Sequence, residues 1–245
     1  MQSSRKKFTI AAVLVVVVLL SLTLAAPFVQ RSLFYPKPRH LPPVVSQSTE
    51  ELLARLQSLL ERQAPLVARE LQPGLSADQI SALEVKGQFH LSDDLRALYR
   101  WRNGVRTNST SELIPGHRFL SLDEIVLERT LLQGQLRTAT KVQRAAHSVF
   151  TSHRKDWLPI LADGAGDGYF FDPKRLENQG AFFYHFTEVS WYVWFPSFRN
   201  FLAGAIEGYE SRAIRLGTNG TQLDQDFDQM QKIWNRLGMN SENGK

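Results

Sequence analysis

The sequence predicts an α+β domain, a largely antiparallel sheet with flanking helices, preceded by one N-terminal transmembrane helix. Three observations lead there. Helical periodicity dominates the first half of the domain, short aromatic and β-branched runs separated by turns fill residues 157–195, and a long uncharged apolar run lies near the N-terminus. Helices first and hairpin-linked strands afterwards is the order of an α+β fold rather than of alternating βαβ units.

From Phe8 to Ala26 there are 19 residues without a charge. As a helix they span roughly 28 Å, close to the ~30 Å hydrocarbon core of a bilayer. In lipid each backbone N–H and C=O needs an internal partner, so such a run rests there as a helix. Arg5, Lys6 and Lys7 in the basic tail 1–7 favour a cytoplasmic N-terminus, although Arg31, Lys37 and Arg39 follow closely behind the run. The expectation is a single-pass anchor over 8–26 in a cell inner membrane, with the C-terminal domain in the periplasm. The alternative is a cleaved secretory signal, for which Thr23-Leu24-Ala25 loosely resembles a cleavage site, but signal h-regions usually run about 7–15 residues. Both readings carry the domain across the membrane.

A tether over 27–47 follows, with Pro27, Pro36, Pro38, Pro42 and Pro43, a density that favours extended chain. The domain is expected over 48–240, with 241–245 as a tail. Ser48 and Glu51 form a capping-box pattern ahead of Leu52, Leu53, Leu56, Leu59 and Leu60 at helical spacing. Pro65 and Pro73-Gly74 interrupt. Ser76 with Gln79 caps a second helix carrying Ile80 and Leu83. Ser92 opens a third, with Leu95, Leu98 and Tyr99 on one face and Asn103-Gly104 as its stop. Ser121 with Glu124 starts a fourth, continuing in pieces toward Arg144. Strands are expected at Trp157 to Ala162, Tyr169 to Asp172, Ala181 to Thr187 and Val189 to Phe195. Ser197 caps a helix with Phe198, Phe201, Leu202, Ala205 and Ile206 inward, and a last helix carries Phe227, Met230, Trp234 and Leu237.

Composition excludes several classes. There is no cysteine, hence no disulfide, thiolate metal site or cysteine nucleophile. The net charge of +5 falls to +2 without Arg5, Lys6 and Lys7, an ordinary mixed surface with no basic stripe for nucleic acid. The Arg-rich stretch Arg137 to Arg154 reads as a solvated helix face.

Six segments stand in a recognisable order. They are Ile80-x-x-Leu83-Glu84, Leu91 through Asn103-Gly104, Phe119 through Ile125, Trp157-Leu158-Pro159-Ile160, Gly166 through Asp172, and Ser197 through Leu202. Together, over about residues 75–210, they resemble the SMI1/KNR4 domain, also called the SUKH superfamily. Ser92 departs from the pattern, which commonly has proline there. The resemblance implies a central, largely antiparallel sheet and a protein-binding role. Bacterial members are mostly immunity proteins that neutralise toxins, and fungal members organise cell-wall synthesis signalling.

The loop Asp163-Gly-Ala-Gly-Asp-Gly168 invites a calcium reading, but Ala165 and Lys174 stand where two ligands are required. It also lacks the lysine and following helix of a phosphate cradle. A glycine-rich turn between two strands is the plainer reading. The resemblance implies that this turn brings acidic side chains to one end of the sheet, so Asp163, Asp167 and the nearby Asp172 are expected to touch a partner. Trp101 and Trp191 are the expected aromatic anchors beside them. His185 with Asp172 or Glu188 is an acid–base constellation on paper, yet His185 sits in the aromatic run Ala181 to Phe186, where a packed histidine is the commoner outcome. His147 and His153 are six apart, His40, His90 and His117 stand alone, and no Gly-x-Ser-x-Gly elbow occurs. No metal and no cofactor are expected.

The leading expectation is therefore a membrane-tethered, non-enzymatic protein-binding module: an immunity protein that occludes a toxin. A cell-envelope scaffold is the alternative, and a hydrolase using His185 is third. The expected partner is a toxin or an envelope protein, with membrane contact through residues 8–26.

Overall fold

The computed structural model describes residues 45–127, 129–130, 157–165, 167–173, 181–186, 191–218 and 222–241. The basic tail, the apolar run 8–26 and most of the tether lie outside the described residues, as does the continuation of the fourth helix toward Arg144. Among the described residues, no helix is long and apolar enough to cross a membrane.

The α+β expectation holds, because the caps and periodicities act where they stand in the sequence. Helix α1 (Thr49–Gln63) starts on a complete capping box, in which the Ser48 hydroxyl accepts from Glu51 N–H and the Glu51 carboxylate accepts from Ser48 N–H. Leu52, Leu53, Leu56, Leu59 and Leu60 are all buried. At roughly 1.5–3 kcal/mol of gross burial each, they make α1 a core element. Pro65 opens α2 (Pro65–Glu70) where its missing N–H costs nothing. Strand β1 (Leu71–Pro73) follows, then α3 (Ala77–Gly87) on a second capping box, Ser76 with Gln79, and α4 (Asp93–Trp101) on Ser92.

Asn103-Gly104 corrects the sequence reading. It does not end a helix by a left-handed cap; it lies inside β2 (Arg102–Val105), which pairs antiparallel with β1. The Asn103 side-chain oxygen accepts from Leu122 N–H at 2.9 Å, so the motif is a crossing point between two segments.

Strand β3 (Arg118–Phe119) leads into the helical residues 122–127, capped by Ser121 and Glu124. The remaining strands are β4 (Leu158–Ala162), β5 (Gly168–Asp172), β6 (Ala181–Phe186), β7 (Trp191–Phe195), β8 (Ile214–Leu216), β9 (Leu223–Gln225) and β10 (Asn240–Ser241). Helix α5 (Phe198–Glu210) and helix α6 (Phe227–Arg236) flank the β8–β9 hairpin. Six strands form one antiparallel sheet in the order β10-β7-β6-β5-β4-β3. In α6, Met230, Ile233 and Trp234 are buried whereas Phe227 is 75 % exposed. The period expected for this helix was right, but Phe227 belongs to its outer side.

Helix α5 covers one sheet face. Phe201 meets Phe182, Tyr169 and Phe195 with ring centroids 4.6, 4.8 and 5.3 Å apart, and Trp234 of α6 stacks on Phe201 at 5.6 Å. An Arg55–Glu210 fork, two bonds of 2.6 Å each, ties α1 across α5. The opposite face carries a second aromatic layer of Trp157, Phe170, Phe183, His185 and Trp194, in which Phe183 lies 4.7 Å from Trp157 and 4.5 Å from Trp194.

Glu124 gives one titrating contact. Burial raises its carboxyl pKa, but bonds from Arg118 and from the Ser121 N–H and hydroxyl outweigh that, and the net value is lowered. A lowered folded-state carboxyl contributes stability that is present above its unfolded pKa, about 4.3, and is lost as pH falls through the folded value. Glu124→Gln is expected to flatten the acid limb of stability below about pH 4. Urea midpoints of both proteins between pH 3 and 7 check this, and parallel limbs would contradict it.

Candidate functional site

The β4–β5 connection is set by backbone geometry. Gly168 pairs with Ala162, and any Cβ on it would lie 2.3 Å from the Leu161 carbonyl oxygen. Only glycine lets the two strands approach so closely as they turn. Asp163 N–H donates to Asp167 C=O at 3.2 Å, and Ala165 N–H donates to the Asp163 carboxylate at 2.8 Å. Asp163 is exposed and Asp167 half-buried, so the turn presents its carboxylates at one end of the sheet.

Beside this loop lies an aromatic array built from two strands and the turn that precedes β3. A tight turn before β3 places His117, whose main chain bonds to Ile114 and Leu113. His117 Nδ1 lies 2.9 Å from the Pro115 carbonyl oxygen, which can only accept, so Nδ1 carries a proton. In the neutral ring Nε2 then accepts from the Tyr184 hydroxyl at 3.2 Å. Ring centroids are 5.3 Å apart for His117–Tyr184, 5.1 Å for His117–Tyr169, 4.8 Å for Tyr169–Tyr184 and 4.5 Å for Tyr184–Phe186. Most of these contacts are edge-to-face, the geometry ring quadrupoles favour. Burial raises the Tyr184 pKa well above the usual phenol range, and the negative charges of Asp167 and Asp163 raise it further. Burial does the same to Tyr169, with Tyr184 adding to it. Both phenols therefore stay protonated, which suits them as hydrogen-bond donors and not as bases.

The expected site residues divide. Asp163 and Asp167 come together on the loop. The backbone of Trp191 faces Phe186 in register, placing it at the same end of the sheet; its side chain lies outside the described residues. Asp172 is at the far end of β5, opposite Ala181, buried, and accepts from Trp157 Nε1 at 3.2 Å. It forms no part of the loop surface. Trp101 ends α4, half-buried against the core, with the Arg102 guanidinium 6.0 Å from its ring centroid. No described contact joins it to the loop.

Asp172 does not stand beside His185. His185 is 1 % exposed, and its strand position opposes Gly168 while Asp172 opposes Ala181. Four strand residues separate them, about 13 Å. Glu188 lies outside the described residues. Among the described residues, no group of histidine and carboxylate side chains is arranged to hold a metal.

His117, Tyr184 and Phe186 were absent from the sequence-derived set. Alternation within β6 puts Tyr184 and Phe186 on one face, but nothing local announces that His117, far back in the chain, reaches them. Only the β3–β4–β5–β6 register does. Together these residues form a ridge at one end of the sheet, in which two carboxylates stand beside an array of aromatic rings. A family model described as SMI1 / KNR4 family (SUKH-1) matches residues 74–204, more than half of the chain. No curated protein matches it. The match takes in the loop and its aromatic neighbours, but leaves outside it α1 and α6, whose buried side chains complete the core.

Proposed function

Because the chain belongs to the SMI1/KNR4 family (SUKH-1), we propose that it is a membrane-tethered protein-binding module that protects its cell by covering the working surface of a toxin. The observation that carries this reading is the ridge at the sheet end, with Asp163 and Asp167 beside the His117–Tyr184–Tyr169 array. Charges on such a rim steer and orient a partner of opposite sign, while adjacent rings supply rigid contact area at small entropic cost. The partner surface is then rich in lysine or arginine. No chemistry is required of this chain, since occlusion alone inactivates an enzyme.

The tether rests on the 19 uncharged residues from Phe8 to Ala26 and the proline-rich stretch behind them. A domain held in this way on the periplasmic face meets toxins of the wall or membrane rather than cytosolic nucleases. A reporter fused after Lys245 reads the side on which the domain sits.

Two comparisons test the function. Deleting the gene is expected to sensitise cells to a competing strain; altered cell shape with no competitor present would instead favour an envelope scaffold. The Asp163→Asn/Asp167→Asn double variant is expected to fold as wild type and to lose roughly tenfold or more in partner affinity, mostly through slower association at low salt. An unchanged affinity would remove the loop from the interface.

A further inference from the structure

A concavity lies between α2 and the segment that follows β2. It is a shallow, solvent-open cleft of about 720 Å³, lined by Leu66, Arg69 and Glu70 on one wall and by Arg106 and residues 108–111 on the other. The walls are joined by main chain, since Arg106 N–H donates to Glu70 C=O at 3.1 Å. The loop is held open by Ser109 N–H to Arg106 C=O at 2.8 Å and Ser111 N–H to the Ser109 hydroxyl at 3.1 Å.

Its charges are unequal. Arg106 Nη1 lies 3.7 Å from Glu70 Oε1, a loose pair whose arginine is 67 % exposed. The Arg69 side chain makes no ion pair or hydrogen bond among the described residues and is exposed. One guanidinium is thus uncompensated, facing a wall of neutral donors and acceptors: Asn108, Ser109, Thr110 and Ser111.

We propose that this cleft binds an acidic peptide segment in which a single carboxylate is flanked by neutral polar residues. A guanidinium fork matches a carboxylate in shape and charge, and the hydroxyl and amide groups opposite suit a peptide main chain. Glu70 argues against a dense polyanion, because a second or third phosphate would meet its carboxylate. Leu66 is the only apolar lining residue, so an apolar ligand has little to cover. The volume is that of sites for small ligands or a few residues of chain. This site is independent of the sheet-end ridge, and of opposite charge to it.

Calorimetric titration of the full chain tests it, using a capped Ser-Glu-Ser peptide, its Ser-Gln-Ser counterpart and inorganic phosphate. The glutamate peptide is expected to bind about fivefold tighter than the glutamine one. Arg69→Gln is expected to erase that difference with its thermal midpoint unchanged, and Arg69→Lys to retain part of it. Equal binding of the two peptides, absence of binding by both, or discrimination that survives Arg69→Gln would each overturn the proposal. So would phosphate displacing the peptide with equal affinity, which would mark a small-oxyanion site. The Asp163→Asn/Asp167→Asn variant is expected to titrate like wild type, which separates this site from the ridge.

Discussion

Replacing Gly104 by alanine is expected to cost about 3–5 kcal/mol of stability. Two effects act together. Gly104 has φ +73°, a conformation that costs a side-chain-bearing residue about 1–3 kcal/mol. The added Cβ would also lie 2.4 Å from Ser121 N and 2.6 Å from the Leu120 carbonyl carbon, main-chain atoms that no rotamer change can move. Relief would require shifting the segment that bonds through Leu122 N–H to the neighbouring Asn103 side chain. Against a typical domain stability on the order of 5–15 kcal/mol, that is a large share of the whole. Urea denaturation at 25 °C measures the loss directly, and a cost below about 1 kcal/mol would mean that the crossing is looser than described.

Glu84→Ala should rank second, at roughly 2–4 kcal/mol. Glu84 is buried, and its carboxylate accepts from Leu91 N–H at 2.7 Å and from Arg96 Nη2 at 2.7 Å. It therefore joins the end of α3 to the start of α4. Alanine leaves a buried backbone N–H without a partner, which is the costlier half. Arg96 stays 39 % exposed and recovers water, so the charged half is discounted. Glu84→Gln keeps an acceptor for Leu91 and should lose only about half as much. Equal losses in the two variants would show that charge, and not the satisfied amide, holds the connection.

These two positions explain why the motif order in the sequence was informative. Glu84 and Leu91 belong to separate segments that one hydrogen bond unites, and Asn103-Gly104 meets Leu120 to Leu122 at a crossing. What could be read without the structure was local chemistry. The Ser48–Glu51 and Ser76–Gln79 boxes need only four residues each, and both form. What could not be read depended on partners distant in sequence. Asn103-Gly104 has the composition of a helix stop, and only the chain crossing it turns it into a strand. Phe227 fits the α6 period, but Met230, Ile233 and Trp234 settle which side packs. The site divides in the same way. The placing of Asp163 and Asp167 together on a turn was legible from its glycines, whereas Asp172, five residues beyond Asp167, is carried by the strand to the far end and inward. His117 joined Tyr184 only through the register of four strands.

Among the described residues, the six-stranded sheet ends on both sides in strands of two residues, Arg118–Phe119 and Asn240–Ser241. A long bare margin is the template on which foreign chains polymerise, and natural sheets blunt it by keeping the outer strands short. Among the described residues these margins offer a short ladder, on which strand addition, a mode that reads backbone and is tolerant of sequence, has small purchase. Discrimination among closely related partners then rests on side-chain identity along the surface. On the proposed function, a handful of substitutions there would redirect the molecule to a new target while the scaffold beneath stays as it is.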